Sequence, residues 1–264
     1  MKRVVAVLFV CFFSCVCFLG CAQNTVSPNM PSPKDRAKAK KELGVSMIQG
    51  GNLQGGLKEL IQAGKLDPSD AGIQNSIGWA YQNAREFDKA VIHFQRAMAL
   101  RPDFSEAQNN LGKIFADMGR WEQAISLFEK AANNFEYESR HKAYENLGTV
   151  YFFQKKYDMA IMYYKKALGL EPRYSPAYEN MGLAYERLKQ WNRAIAAYEK
   201  GARLSPNDPR PLLYLGRLYM NMKRYDEAER SLKQAVDNDF TGIYAEEGRK
   251  FLKEIERIRS GQKK

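Results

Sequence analysis

Residues 71–104 read AGIQNSIGWAYQNAREFDKAVIHFQRAMALRPDF. Two apolar-periodic stretches flank the break NARE, so the segment reads as helix–turn–helix. In the first helix, Gly78 and Tyr81 lie three residues apart and share a face. In the second, Ala90, Phe94 and Ala97 do the same, and Pro102 ends the run because proline cannot continue the hydrogen-bond ladder.

These spacings recur. A Leu/Ile/Met–Gly pair stands at Leu43-Gly44, Ile77-Gly78, Leu111-Gly112, Leu147-Gly148, Met181-Gly182 and Leu215-Gly216, at separations of 34, 34, 36, 34 and 34 residues. Three residues after each Gly comes a large side chain: Met47, Tyr81, Phe115, Tyr151, Tyr185 or Tyr219. Second helices carry Ala90, Ala124, Ala160, Ala194 and Ala228 as close contacts, with Phe94, Phe128, Tyr164, Tyr198 and Leu232 as knobs at i+4. Pro68, Pro102, Pro172 and Pro206 end second helices. Phe87, Trp121, Tyr157, Trp191 and Tyr225 open them, which makes Trp121 and Trp191 framework residues.

This pattern resembles the tetratricopeptide repeat (TPR) family. The resemblance implies an all-α fold, a right-handed superhelix of six repeats over 37–70, 71–104, 105–140, 141–174, 175–208 and 209–242. A polar-backed helix over 243–259, with Phe251, Leu252, Ile255 and Ile258 on one face, caps the open stack, and 260–264 is a tail. The first repeat departs from the pattern. It carries Gly50, Gly51, Gly55 and Gly56, with Gly56 where the others use Ala. A helical Gly costs up to about 1 kcal/mol relative to Ala, so this end is expected to be the loosest.

An array also suits 264 residues, more than one compact core usually holds. Hydrophobic content of 45% and aromatic content of 12% exclude a mostly disordered chain.

Residues 1–20 read as an export signal: Lys2 and Arg3, then an apolar run from Val4 to Leu19 broken by Ser14. The alternative is an uncleaved anchor at the short edge of a membrane-spanning helix. The ending Phe18-Leu19-Gly20-Cys21 resembles a bacterial lipoprotein box, which implies lipidation of Cys21. By the same resemblance Ala22, rather than Asp, implies outer-membrane sorting on the periplasmic face, with an inner-membrane anchor as the alternative. All four cysteines lie in 1–21, so the mature chain has no disulfide and no thiolate metal site. Residues 21–36 form a Pro-rich tether with Pro28, Pro31 and Pro33. Extended, such a segment reaches up to about 50 Å. Removing Lys2 and Arg3 leaves 39 basic against 30 acidic residues, a mature charge of +9.

No cofactor, metal site or enzymatic activity is expected. His93 and His141 are the only histidines and have no partner at ligand spacing, and no phosphate loop, HExxH or GxSxG is present. The basic residues are interleaved with acidic ones and no nucleic-acid motif occurs, so nucleic acid is not an expected partner. The basic run Lys34, Arg36, Lys38, Lys40 and Lys41 reads as a solvated helix start, with contact to anionic headgroups or cell-wall polymer as the alternative.

In TPR proteins the stacked first helices line a concave groove. That resemblance places Val45, Ile48, Trp79, Gln82, Asn109, Lys113, Phe152, Phe153 and Leu183 in a partner-binding groove. Trp79 stands out, because the repeat framework does not demand a Trp there and exposed aromatics anchor partners; the alternative is that it packs against the neighbouring repeat's first helix. The mixed groove suits an amphipathic helix or extended peptide. A chaperone-type carboxylate clamp does not fit: Lys41 matches, but Val45, Ser76, Glu106 and Asn110 do not.

The third unit has two extra residues, in the joint FEYESRHKAYENLG over 135–148. This joint and the overall plan resemble the type IV pilus pilotins, the PilF/PilW/Tgl group. The resemblance implies a scaffold that binds secretin subunits and promotes their outer-membrane localisation and multimerisation. The alternative is a general envelope adaptor that gathers peptidoglycan enzymes or other periplasmic complexes.

Overall fold

The computed structural model describes residues 31–261. The export signal over 1–20, Cys21 and most of the tether lie outside the described residues. Within them are thirteen α-helices and no strand. The first six pairs are α1 (Pro33–Gln49) with α2 (Leu53–Leu66), α3 (Ala71–Asn83) with α4 (Phe87–Leu100), α5 (Ser105–Asp117) with α6 (Trp121–Asn133), α7 (Arg140–Phe153) with α8 (Tyr157–Leu170), α9 (Ser175–Arg187) with α10 (Trp191–Leu204), and α11 (Arg210–Asn221) with α12 (Tyr225–Asn238). A final helix, α13 (Ile243–Gly261), packs on α12 and α11.

Helix α1 starts at Pro33, inside the segment read as tether, rather than near Ala37. Ser32 and Asp35 explain the early start. The Ser32 hydroxyl accepts from the Asp35 N–H at 3.1 Å, the Asp35 carboxylate accepts from the Ser32 N–H at 3.3 Å, and Pro33 needs no donor at the first position.

Each first helix ends the same way. The N–H of Glu86 reaches the Tyr81 carbonyl at 2.9 Å, five residues back, and that of Arg85 reaches Gln82 at 3.0 Å. Arg120 to Phe115, Lys156 to Tyr151, Gln190 to Tyr185 and Arg224 to Tyr219 repeat the first bond. This is a Schellman closure, which needs one left-handed residue. Gly51 and Gly119 supply it in two turns at φ +88° and +71°. Arg85, Lys155, Lys189 and Lys223 adopt it at φ 58–61° in the others. The closing residue also covers the aromatic ring, with the Arg120 guanidinium 4.3 Å from Phe115 and that of Arg224 4.6 Å from Tyr219.

Inside each repeat the glycine of the first helix receives the knob of the second. A Cβ at Gly182 would stand 2.5 Å from the buried Tyr198 ring, and one at Gly148 would stand 2.5 Å from Tyr164. In the first repeat the knob is Leu60 against Gly44, and Gly56 brings the helices closer still. A Cβ at Gly56 would lie 2.4 Å from Ile48 and 2.5 Å from the Gly44 carbonyl oxygen. The glycine that read as a weak point is therefore a condition for this packing.

Successive first helices touch one another, α1 to α3 and onward to α9 and α11, whereas successive second helices make no comparable contact. On a curved stack the shorter row is the inner one. First helices therefore form the concave wall, and second helices stand apart on the convex side. The two extra residues lengthen the joint between α6 and α7, where Tyr137 tucks against the core and Phe135 points outward.

Candidate functional site: the concave wall

Two arrangements of polar residues lie along the first helices. One is closed on itself. The Asn110 amide donates to the Asn75 side-chain oxygen at 3.2 Å, Asn146 donates to Asn109 at 2.9 Å, and Asn180 donates to Glu145 at 2.6 Å. Each rung joins one repeat to the next, at sequence separations of 35, 37 and 35. Asn75 also donates to Glu106 at 3.0 Å. Asn109 was expected in the binding groove, but it is 6% exposed and its side-chain oxygen is taken by Asn146. Buried amides must find partners inside the fold, and Asn109 does so as a rung. The repeated Asn at 110, 146 and 180 was the available signal in the sequence.

Glu145 and Glu179 occupy the same place in later repeats. Burial raises the Glu145 carboxyl above the usual range, opposed by hydrogen bonds from Thr149, at 3.1 Å, and Asn180. Glu179 has no Asn rung. Burial pushes its carboxyl up to about 7, and Arg210 at 3.6 Å opposes this only in part. Arg210 is held mainly by Asp208, with its Nε 3.0 Å from one carboxylate oxygen and its Nη2 2.6 Å from the other. One Glu179 oxygen is buried without a partner among the described residues.

The second arrangement is open. Trp79, Gln82, Asn83, Arg85, Phe87, Lys113 and Asp117 line a cleft of about 610 Å³ between α3 and α5. It brings together three of the expected groove residues, Trp79, Gln82 and Lys113. Trp79 is half-buried, with one part packed on the core around Leu111 and Phe115 and the rest facing the cleft. Asp117 and Arg85 were missed by reading the repeat alone, because one lies at the end of a first helix and the other in the turn that follows. Phe87, read as framework, also contributes a wall.

The other expected groove residues lie elsewhere. Ile48 leans over Gly56 within its own repeat, and Val45 packs on the same core, so neither lines this cleft. Phe152 and Leu183 are half-buried against the core of the later repeats. Arg187 stands 5.8 Å from the Phe152 ring. Phe153 is 63% exposed and stacks on Trp121 at 6.2 Å. Trp191 is 38% exposed, more open than a purely framework residue.

His93 accepts or donates at 2.9 Å with Gln74 and stacks on Tyr81, while His141 meets the Tyr174 ring edge-on at 4.8 Å. Burial lowers the pKa of both. Each imidazole is thus accounted for by packing. Lys40 of the basic run pairs with Glu59 at 2.6 Å, and Lys34, Arg36 and Lys38 are exposed. No helix among the described residues is long and apolar enough to cross a membrane.

Profiles described as tetratricopeptide repeat match residues 75–108, 103–172, 145–209 and 188–245. The chain is 27% identical over 162 residues to the type IV pilus assembly protein PilF of Pseudomonas aeruginosa, a match covering 60% of this chain and 64% of that one. It is also 27% identical over 159 residues to an uncharacterised Haemophilus influenzae protein, covering 60% of this chain and 84% of that one. The matched region thus spans just under two thirds of PilF. In fold, it is similar to the Pseudomonas aeruginosa PilF structure with a TM-score of 0.69 at 24% identity, over 82% of this chain and 98% of that one. A structure of PilW, described as a widely conserved type IV pilus biogenesis factor, superposes with a TM-score of 0.70 at 22% identity, over 76% and 93%. Together with the repeated helix pairs, these matches show that the chain belongs to the tetratricopeptide repeat proteins, a fold typical of protein-interaction scaffolds, and that it is similar to PilF.

Proposed function

We propose that this chain is an assembly scaffold of type IV pilus biogenesis. It binds secretin subunits and promotes their localisation and multimerisation in the outer membrane. The observation that carries this reading is the α3–α5 cleft on the concave wall of a chain similar to PilF. Trp79 presents a flat apolar wall, while Gln82, Lys113 and Asp117 supply donors and acceptors around it. That combination suits one polypeptide segment: the aromatic anchors it and the polar groups fix its register. Lipidation at Cys21 would hold the scaffold at the membrane, and the tether would set its reach. Two binding partners held to one surface meet at high effective concentration, which favours multimer assembly without new contacts.

The test is capture from detergent-solubilised envelopes by the full chain, compared with a Trp79→Ala/Lys113→Glu variant, with mass spectrometry of what is retained. Recovery of secretin by the parent and its loss in the variant support the assignment. Recovery of cell-wall hydrolases without secretin overturns it in favour of a general envelope adaptor.

A further inference from the structure

The convex side carries a second surface that the concave reading does not use. Between α8 and α10, two adjoining clefts of about 480 and 560 Å³ share Lys165, Tyr185 and Arg193. Their rims are basic on both sides, with Lys165 from α8 facing Arg193, Lys200 and Arg203 from α10, while Lys166 lines the edge with its ammonium 5.0 Å from the Tyr163 ring. Asp158 is the one acidic residue lining them. Arg203 meets Glu199 at 3.8 Å, but Lys165, Lys166, Arg193 and Lys200 form no ion pair among the described residues. The next groove along, between α10 and α12, has no such bias: Glu199 and Arg203 are its only charged lining residues. The charge is therefore concentrated in this groove and is absent from the one beside it.

The floor differs from the rims. Ile161, Met181, Tyr185 and Ala197 form it, all nearly buried, and the half-open Met162 stands at one edge. The geometry points to a docking site for an acidic amphipathic peptide segment of a protein partner. Its carboxylates would meet the two cationic rims, and its apolar side chains would reach the floor between them. A bilayer is a poorer match, because its flat surface would contact the helix crests and leave the recessed floor unused. The opposite faces of the stack would then hold different segments.

The test uses a dye-labelled synthetic peptide with Glu on one helical face and Leu on the other, titrated into the full chain in mild detergent. A counterpart with Lys in place of Glu is the charge control. The acidic peptide is expected to bind and the basic one not to. Binding is expected to weaken about tenfold in Lys165→Glu/Arg193→Glu and to fall with added salt, as exposed charge contacts do. Trp79→Ala should leave it unchanged, since that residue lies on the opposite wall. The neutral pair Lys165→Gln/Arg193→Gln, checked by circular dichroism, decides the matter if the reversed pair does not fold. Absence of acidic-peptide binding, or binding indifferent to both pairs, overturns the proposal. So does recruitment to phosphatidylglycerol vesicles that depends on the same two residues, which would assign the groove to a lipid surface.

Discussion

The side-chain amide of Asn180 donates to Glu145 at 2.6 Å, joining the first helix of the fifth repeat to that of the fourth. The bond does two things at once. It ties neighbouring repeats, and it supplies a donor to a carboxylate that burial would otherwise leave short of partners. Removing the amide in Asn180→Ala leaves Glu145 with Thr149 as its remaining side-chain donor. A cost of about 1–3 kcal/mol is expected, the usual penalty for an under-satisfied buried group. Urea unfolding of Asn180→Ala, Glu145→Ala and the double variant measures it. The two single losses should not add, with a coupling above about 0.5 kcal/mol, because both break one bond.

Glu179 gives the fold a pH dependence of opposite sign to an ordinary ion-paired carboxylate. Its carboxyl is raised from 4.5 to about 7 in the folded chain, so between these values the folded state holds a proton that the unfolded state has lost. The contribution to stability is fully present below pH 4.5 and is lost as pH rises through about 7. Its size is on the order of 3 kcal/mol for a shift of this kind. Glu179→Gln keeps the neutral form at every pH. Thermal unfolding from pH 4.5 to 8 should show a flatter profile for the variant, and the variant should be the more stable chain at pH 8.

Gly56 sets helix propensity against packing. Alanine is the better helix former by up to about 1 kcal/mol, and other repeats use it at this position. Here an added Cβ meets the Ile48 side chain and the Gly44 carbonyl oxygen, and that backbone oxygen cannot rotate aside. Gly56→Ala is therefore expected to destabilise, by about 1–3 kcal/mol from overpacking less the propensity gain. A denaturation midpoint above that of the parent would show that the first two helices separate freely.

Trp79 and Asn109 were both placed in the binding groove by the repeat register, and they should now behave differently. Asn109 is a rung, so Asn109→Ala should lower the unfolding midpoint by the cost of a lost buried hydrogen bond, about 1 kcal/mol, and leave partner capture intact at a temperature where the variant is folded. Trp79 is half-exposed in the cleft, so Trp79→Ala should weaken partner capture beyond any change in stability. Equal loss of capture in both variants would remove the distinction between wall and rung.

The sequence alone determined the repeated unit, its length and the face on which each Gly and knob lies. Those are local and periodic properties, set by helix geometry and by the same packing problem solved six times over. It also marked the longer third unit, which the structure places in the joint between α6 and α7. Which polar residues are spent holding the repeats together was not legible in the same way. Asn109 and Lys113 lie four residues apart on one helix, yet one is a buried rung and the other lines the open cleft. That difference depends on how far each first helix is turned toward the next, a relation between residues about 35 positions apart. The early start of α1, the tight contact at Gly56 and the basic groove between α8 and α10 have the same origin. Each depends on distances between helices, and these only the assembled stack decides.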